Sequence, residues 1–387
     1  MKVAINVLAQ SPGHATGSLS QFLQMGRYLP ERDPGSEYIA IAGYDDVAYY
    51  KSKLPKARVV AGGWGNRHRL LRVLSEHLLL GPVAARENVD ILFHAAAGVG
   101  PAILPRKVRL VLGIWALHHI AAGQIPFINK LYRTIMFDRS LRRASCILVN
   151  SEYTRALLFK HRPNLSVPVE VIHHGIDSSL FNTDAFTAEN TQRLAQITGG
   201  GPYVLYVGQV YPYKRLDVLV EAFCKAAKGS ALPHKLVIVG SFAAEHGGGE
   251  NFKDKMLRLL ADAGLADRLV LGEDISVRDL RLLYAGTELY VQPSSAETFG
   301  RTVIEAMACG APVLAAHAAS TPEILGDAGV YYPTENVDEC AARISEILGD
   351  EAQRTALRAK GLERVKLFSF DNEIDKVAAL FHRVAAA

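Results

Sequence analysis

Two glutamates eight positions apart, Glu297 and Glu305, stand within residues 293–312, which read Pro-Ser-Ser-Ala-Glu-Thr-Phe-Gly-Arg-Thr-Val-Ile-Glu-Ala-Met-Ala-Cys-Gly-Ala-Pro. An ionised carboxylate only accepts hydrogen bonds, so it suits hydroxyl-rich partners: a sugar ring at Glu297, a ribose at Glu305. Between them, Phe299 and Gly300 lead into Arg301 and Thr302, where a loop turns into a helix. The leading N–H groups of that helix, with the positive end of its dipole, make a seat for an anion such as a diphosphate. A plainer reading leaves Glu305 as a charge on a solvated helix face and Glu297 as a loop charge. Glu-x7-Glu, with Phe-Gly after the first and Glu-Ala-Met-Ala-x-Gly at the second, is far more specific than either glutamate alone. A cation of the right kind lies upstream. Lys214 ends Gln-Val-Tyr-Pro-Tyr-Lys, between an apolar run and a helical one, where lysine acts as a point charge for phosphate; a solvated lysine is the alternative.

The elements around these residues alternate. Residues 288–292 read as a buried strand ended by Pro293-Ser294-Ser295, and residues 302–308 as a helix stopped by Gly310-Ala311-Pro312. Residues 203–208 read as a strand and 215–227 as a helix, so Lys214 also sits on a strand-to-helix turn. A similar series runs through the first half, with strands at 3–8, 38–42, 89–93, 109–114 and 146–150. Two such series predict an α/β chain of two parallel-sheet, Rossmann-like domains, with ligands at the carboxyl ends of the strands facing a central cleft. The loop 11–18 after the first strand carries Gly13 and Gly17, which let backbone approach a phosphate. It is not a GxGxxG, which argues against a nicotinamide oxidoreductase.

Residues 293–312 resemble the donor-site signature of the retaining glycosyltransferase family 4, whose members have the GT-B fold. The resemblance covers most of the chain and is strongest over 147–333. It implies three parts: an acceptor-side domain over 1–174, a nucleotide-sugar donor domain over 175–366, and a helix over 367–387 that crosses back. It also implies a retaining hexosyltransferase that moves a hexosyl or 6-deoxyhexosyl group from a nucleotide-diphosphate sugar to a saccharide acceptor. That acceptor is expected to be lipid-linked, in cell-surface polysaccharide or lipopolysaccharide synthesis. A binding protein that has kept the donor site without turnover is the alternative. On the matching positions, Gly17, Lys214, Arg215, Glu297, Phe299, Gly300, Arg301, Thr302 and Glu305 bind the donor, and Glu297, Lys214 and His118 act in catalysis. Two departures stand out. The arginine that the family places at position 209 or 213 is absent, so Arg215 is expected to share the load of Lys214. The family's His-Asp pair after the strand at 109–114 aligns with Trp115-Ala116. An apolar ring there would favour a 6-deoxy sugar, unless His118 takes the histidine's place or Trp115 belongs to the core. No Asp-x-Asp stands out, so neither a metal nor another cofactor is expected.

Composition sets the remaining bounds. Residues 1–174 hold 22 Lys and Arg against 11 Asp and Glu, a net of +11, while the rest holds 21 against 28, a net of −7. A basic front half suits an acidic partner or an attraction between the two halves. No nucleic-acid motif accompanies it, so nucleic acid is not expected. Residues 64–80 read as an amphipathic helix with Leu70, Leu74 and Leu78 four apart and Arg67, Arg69 and Arg72 at its start. Such a helix lies on an anionic membrane surface or packs its apolar face on its own core. Four scattered cysteines, no signal peptide and no membrane span predict a reducing, cytoplasmic setting, peripheral to the inner face of the plasma membrane.

Overall fold

The computed structural model describes all residues except 11–16, 66–67, 96–98, 116–126, 185–186, 231 and 243–251. It divides into two compact units. One comprises Met1–His173 with Asp371–Ala387, the other His174–Phe370.

The first unit holds seven parallel strands: β1 (Lys2–Asn6), β2 (Glu37–Gly43), β3 (Arg58–Gly63), β4 (Ile91–His94), β5 (Arg109–Ile114), β6 (Cys146–Val149) and β7 (Val169–Val171), ordered β3-β2-β1-β4-β5-β6-β7. The strands are short apolar runs, and β1, β4, β5 and β6 are buried almost throughout, as a sheet covered on both faces requires. The helices that cover it include α1 (Gly17–Arg32), α2 (Val47–Lys53), α3 (Arg69–Leu74), α4 (Leu80–Arg86), α5 (Phe127–Arg143) and α6 (Glu152–His161). Ser151 caps α6 by accepting from the Thr154 N–H at 3.0 Å, as the Ser-x-x-Thr spacing predicts. The C-terminal helix, Phe370–Ala386, belongs to this unit from Asp371 on. Phe381 packs on Phe93 of β4 with centroids 5.7 Å apart, and Arg32 pairs with Asp371 and Asp375 at 3.3 Å.

The helix expected over 64–80 begins later and runs further. A π-helical turn, Ser75–Leu79, joins α3 to α4. Ser75 Oγ donates to the Leu71 carbonyl at 2.9 Å and accepts the Trp64 N–H at 2.9 Å, and Pro82 has no N–H for the ladder. Both facts weaken regular i→i−4 pairing here. Beside the turn, at the carboxyl ends of β1 and β4, lies a buried polar cluster. His94 Nδ1 meets Asn6 Nδ2 at 2.8 Å, Asn6 reaches Glu76 at 3.4 Å, and Glu76 pairs with Arg72 at 3.0 Å. Burial pushes the His94 imidazole down, so His94 serves as a neutral hydrogen-bonding ring.

The second unit holds β8 (Tyr203–Val207), β9 (Lys235–Val239), β10 (Leu269–Gly272), β11 (Leu289–Gln292), β12 (Val313–Ala316) and β13 (Val330–Tyr332), all parallel, ordered β10-β9-β8-β11-β12-β13. Its helices include α7 (Ala188–Thr198), α8 (Leu216–Ser230), α9 (Phe252–Asp262), α10 (Val277–Gly286), α11 (Arg301–Ala308), α12 (Thr321–Leu325), α13 (Val337–Gly349) and α14 (Glu351–Val365). Two apolar layers sandwich the sheet. Tyr290, Val303, Ile304 and Met307 lie in one, and Tyr206, Leu219, Phe223 and Ile344 in the other. The strand order reverses between β8 and β11, which pair through Leu289–Val204 and Tyr290–Leu205. At such a switch point neighbouring loops diverge to opposite faces and leave a crevice at the strand ends.

Close backbone approach shapes that end of the sheet. Gly240, just past β9, has φ +153°, and a Cβ there would overlap the carbonyl oxygen of Gly208. Gly240→Ala is therefore expected to cost at least about 2 kcal/mol, a value typical of backbone strain. Thermal melting checks this: an unchanged melting temperature would show that the strand ends tolerate separation.

Candidate functional site

The loops that follow β8 and β11 carry the residues singled out in the sequence, and the switch point sets them side by side. A single 3-10 turn, Pro212–Lys214, leads from β8 towards α8, and Arg215 closes it in the left-handed region at φ +48°. The two loops are stitched together by backbone. The Tyr213 carbonyl accepts the Ser295 N–H at 2.9 Å and the Ser295 hydroxyl at 3.2 Å. Lys214 is thereby brought to Glu297, and its ammonium is ion-paired to Glu297 Oε1.

Glu297 is only 9% exposed. A carboxylate removed from water to that degree needs charge and hydrogen bonds in return. Besides Lys214, Oε1 accepts Gln292 Nε2 at 2.9 Å, and Gln292 Oε1 accepts the Tyr290 hydroxyl at 2.8 Å. The Glu297 main chain is held as well, its carbonyl accepting from Ser320 N at 3.2 Å and Ser320 Oγ at 2.9 Å. The lysine and the first glutamate therefore share one polar chain that ends on a buried tyrosine.

Phe299 drives the loop into the core. Its ring is 2% exposed and meets His174 and Phe368 edge-on, with centroids 5.0 and 6.1 Å away. What it offers a ligand is backbone. Gly300 follows with φ +88° and caps α11 without a side-chain hydrogen bond, at the positive end of the helix dipole. Arg301 and Thr302 are half-buried on its first turn. Glu305 lies one turn further, accepting the Tyr284 hydroxyl at 3.1 Å. Burial pushes the Glu305 carboxyl up, while the Arg301 charge and the Tyr284 hydrogen bond pull it back only in part.

Arg215 is placed otherwise than its sequence neighbour. Its guanidinium pairs with Asp217 at 3.0 Å and with Glu335, and these partners hold its pKa up. Tyr211 and Tyr213 stack nearly parallel, 5.6 Å apart, with Lys214 Nζ 5.5 Å from the Tyr213 centroid. In the first unit, Gly17 is the first residue of α1. Trp115, just past β5, packs edge-on against Phe93 at 6.3 Å, and its carbonyl accepts Asn150 Nδ2 at 3.4 Å. His118 lies outside the described residues. No group of His, Cys, Asp or Glu among the described residues is arranged to hold a metal ion, and all four cysteines are free thiols. Gln292, Tyr284 and Ser320 were not anticipated. Of these only Gln292 left a mark in the sequence, as a polar residue ending a buried apolar strand.

Residues 21–180 match the family model described as "Glycosyltransferase Family 4", and residues 188–364 match "Glycosyl transferases group 1". The chain is 32% identical over 299 residues to the O-antigen chain mannosyltransferase B of Escherichia coli, covering 75% of this chain and 73% of that protein. The chain belongs to glycosyltransferase family 4. This family 4 member is also 27% identical to a D-inositol 3-phosphate glycosyltransferase of Mycolicibacterium smegmatis, over 68% of the chain and 58% of that protein. Solved structures agree on the fold. Sucrose-phosphate synthase from Thermosynechococcus elongatus superposes with a TM-score of 0.78 at 20% identity, over 100% of this chain and 99% of that one. Anabaena HepE in complex with UDP and glucose gives 0.71 at 19%, over 99% and 100%. The two parallel sheets expected from the alternating pattern, and the GT-B fold implied by the family resemblance, are thus what this glycosyltransferase family 4 chain adopts.

The raised Glu305 pKa has a consequence for stability. A carboxyl whose native pKa exceeds its unfolded value destabilises the fold above the native pKa, and the penalty fades as pH falls towards the unfolded value. Glu305→Gln is thus expected to raise the melting temperature at neutral pH, by an amount that shrinks in acid, while weakening nucleotide binding. A lower melting temperature in this variant would show Glu305 to be a structural ion.

Proposed function

We propose that the protein transfers a hexosyl or 6-deoxyhexosyl group, with retention, from a nucleotide-diphosphate sugar to a saccharide acceptor. Residues 1–174 serve the acceptor and residues 175–366 the donor. The observation that carries this reading is the shared polar chain of Lys214, Glu297 and Gln292 on the loops beside the N-terminus of α11. Lys214 offsets the Glu297 charge, so an anionic diphosphate can approach a carboxylate without net repulsion. The helix N-terminus and Lys214 hold the leaving diphosphate, Glu305 accepts from the ribose hydroxyls, and Glu297 grips the sugar. The cationic groups stabilise the charge that grows on the leaving group as the glycosidic bond stretches. That HepE was captured with UDP and glucose, and that the Escherichia coli relative is an O-antigen mannosyltransferase, support a nucleotide-sugar donor and a lipid-linked acceptor in cell-surface polysaccharide or lipopolysaccharide synthesis. Among the described residues no helix is long and apolar enough to cross a membrane, and we place the enzyme peripherally on the inner face of the plasma membrane.

Lys214→Ala is expected to weaken nucleotide-diphosphate binding by about 1–3 kcal/mol, the usual worth of a charge-assisted bond. Calorimetry with a panel of nucleotide diphosphates reads this, and unchanged affinity would remove Lys214 from the seat. Donor turnover in the same preparation separates an enzyme from a protein that only binds.

The sugar is addressed at Trp115. Trp115 stands at the position where the family resemblance expects a sugar-facing histidine, and an apolar ring in that role would favour a 6-deoxy sugar, because a 6-hydroxyl left unpaired there costs on the order of 1–3 kcal/mol. Packing against Phe93 gives the ring a core role as well. Trp115→His is expected to shift kcat/KM towards the matched 6-hydroxylated donor. A wild-type enzyme that already prefers that donor overturns the 6-deoxy reading and leaves hexosyl transfer standing.

A further inference from the structure

A lipid-linked acceptor requires a surface that meets the bilayer, and the first unit has one; this inference rests on the acceptor reading above. Leu70, Leu74 and Leu78 recur every four residues along α3 and the π turn, and are 82%, 51% and 47% exposed. A helix of a globular protein turns such a stripe to its core. Here the buried positions are the polar Ser75 and Glu76, and the leucines face solvent. On α5 Phe137 and Leu141 turn to the core, while Leu131, Tyr132 and Ile135 are left exposed. The two rows meet. His77 is hydrogen-bonded to the Tyr132 hydroxyl, with the rings edge-on and centroids 6.0 Å apart. The exposed Ile103 joins them, donating its N–H to the His77 carbonyl at 3.1 Å.

The segment that carries this face is basic. Residues 64–150 contain twelve Lys and Arg against four Asp and Glu. Each of the four acids is engaged: Glu76 by Arg72, Glu87 by Arg58, Asp138 by Arg162, and Asp90 by the Lys2 N–H. Exposed cations remain at Arg106 and Lys107, beside Ile103, and at Arg139 and Arg142 on α5. Arg72, expected from the sequence to face lipid, is spent on Glu76, so the apolar residues carry the docking and the outer cations assist. An apolar face edged by unanswered positive charge fits an anionic bilayer interface. A second copy pairing through this same face would set like charge against like.

We propose that this face, formed by Leu70, Leu74 and Leu78 with Leu131, Tyr132 and Ile135, inserts into the interface of an anionic membrane. Flotation of the full chain tests it, with phosphatidylcholine vesicles carrying a minority of phosphatidylglycerol. Wild type should float, less with pure phosphatidylcholine and less at raised salt. Leu70→Ser/Leu74→Ser/Leu78→Ser should reduce the bound fraction by at least about tenfold, given the apolar area removed. Its circular dichroism and nucleotide affinity should match wild type. If that variant fails to fold, Leu131→Ser/Ile135→Ser gives the same reading from the other helix. Equal flotation by the variant, or none by wild type, overturns the proposal. So does a concentration-dependent dimer that the leucine changes dissolve and vesicles do not compete away. Flotation without nucleotide binding would defeat the donor reading and leave the docking face; the converse would do the reverse.

Discussion

Glu297 is a buried carboxylate, and the second unit is arranged around satisfying it. A lone charge at that depth is too costly to keep, so a cation and a donor must reach it from fixed positions. The cation arrives on the β8 loop and the donor on the last residue of β11. In this sheet the two strands are neighbours, so both reach it. Sheet order, loop stitching through Tyr213 and Ser295, and the Ser320 hold on the Glu297 carbonyl thus follow from one electrostatic requirement. The strand reversal that meets it also opens the crevice beside it.

The same arrangement explains why the second glutamate is treated differently. Glu297 is answered from within the protein. Glu305 has one tyrosine hydroxyl and a nearby guanidinium, and burial still lifts its pKa. The first carboxylate is thus paired with charge and an amide donor, and the second is held by a tyrosine hydroxyl beside a guanidinium.

Much of this was legible before any coordinates. The alternation of apolar runs and amphipathic helices determines two parallel sheets, because parallel strands need crossover helices and bury both faces. The Glu-x7-Glu spacing placed both carboxylates correctly on the loop and on the second turn of α11. The partners were not legible. Gln292 and Tyr284 act through tertiary neighbours that no local spacing encodes. Nor were the partners of Arg215 legible: beside Lys214 in sequence, it sits on a left-handed turn and its side chain pairs with Asp217 and Glu335.

The helix after β3 marks a deeper limit of pattern reading. A leucine every fourth residue is the same signal whether the stripe faces core or solvent, since periodicity reports a face and not its direction. Direction is set by what else must be buried. Here Ser75 receives the Trp64 N–H, and Glu76 joins Asn6, His94 and Arg72 at the strand ends. Those polar demands claim the inner side of the helix, and the π turn adjusts its phase to meet them. The leucines are left outside as a consequence. An exposed apolar stripe of this origin needs no contact partner to explain its presence, only the buried polar cluster that occupies the other face.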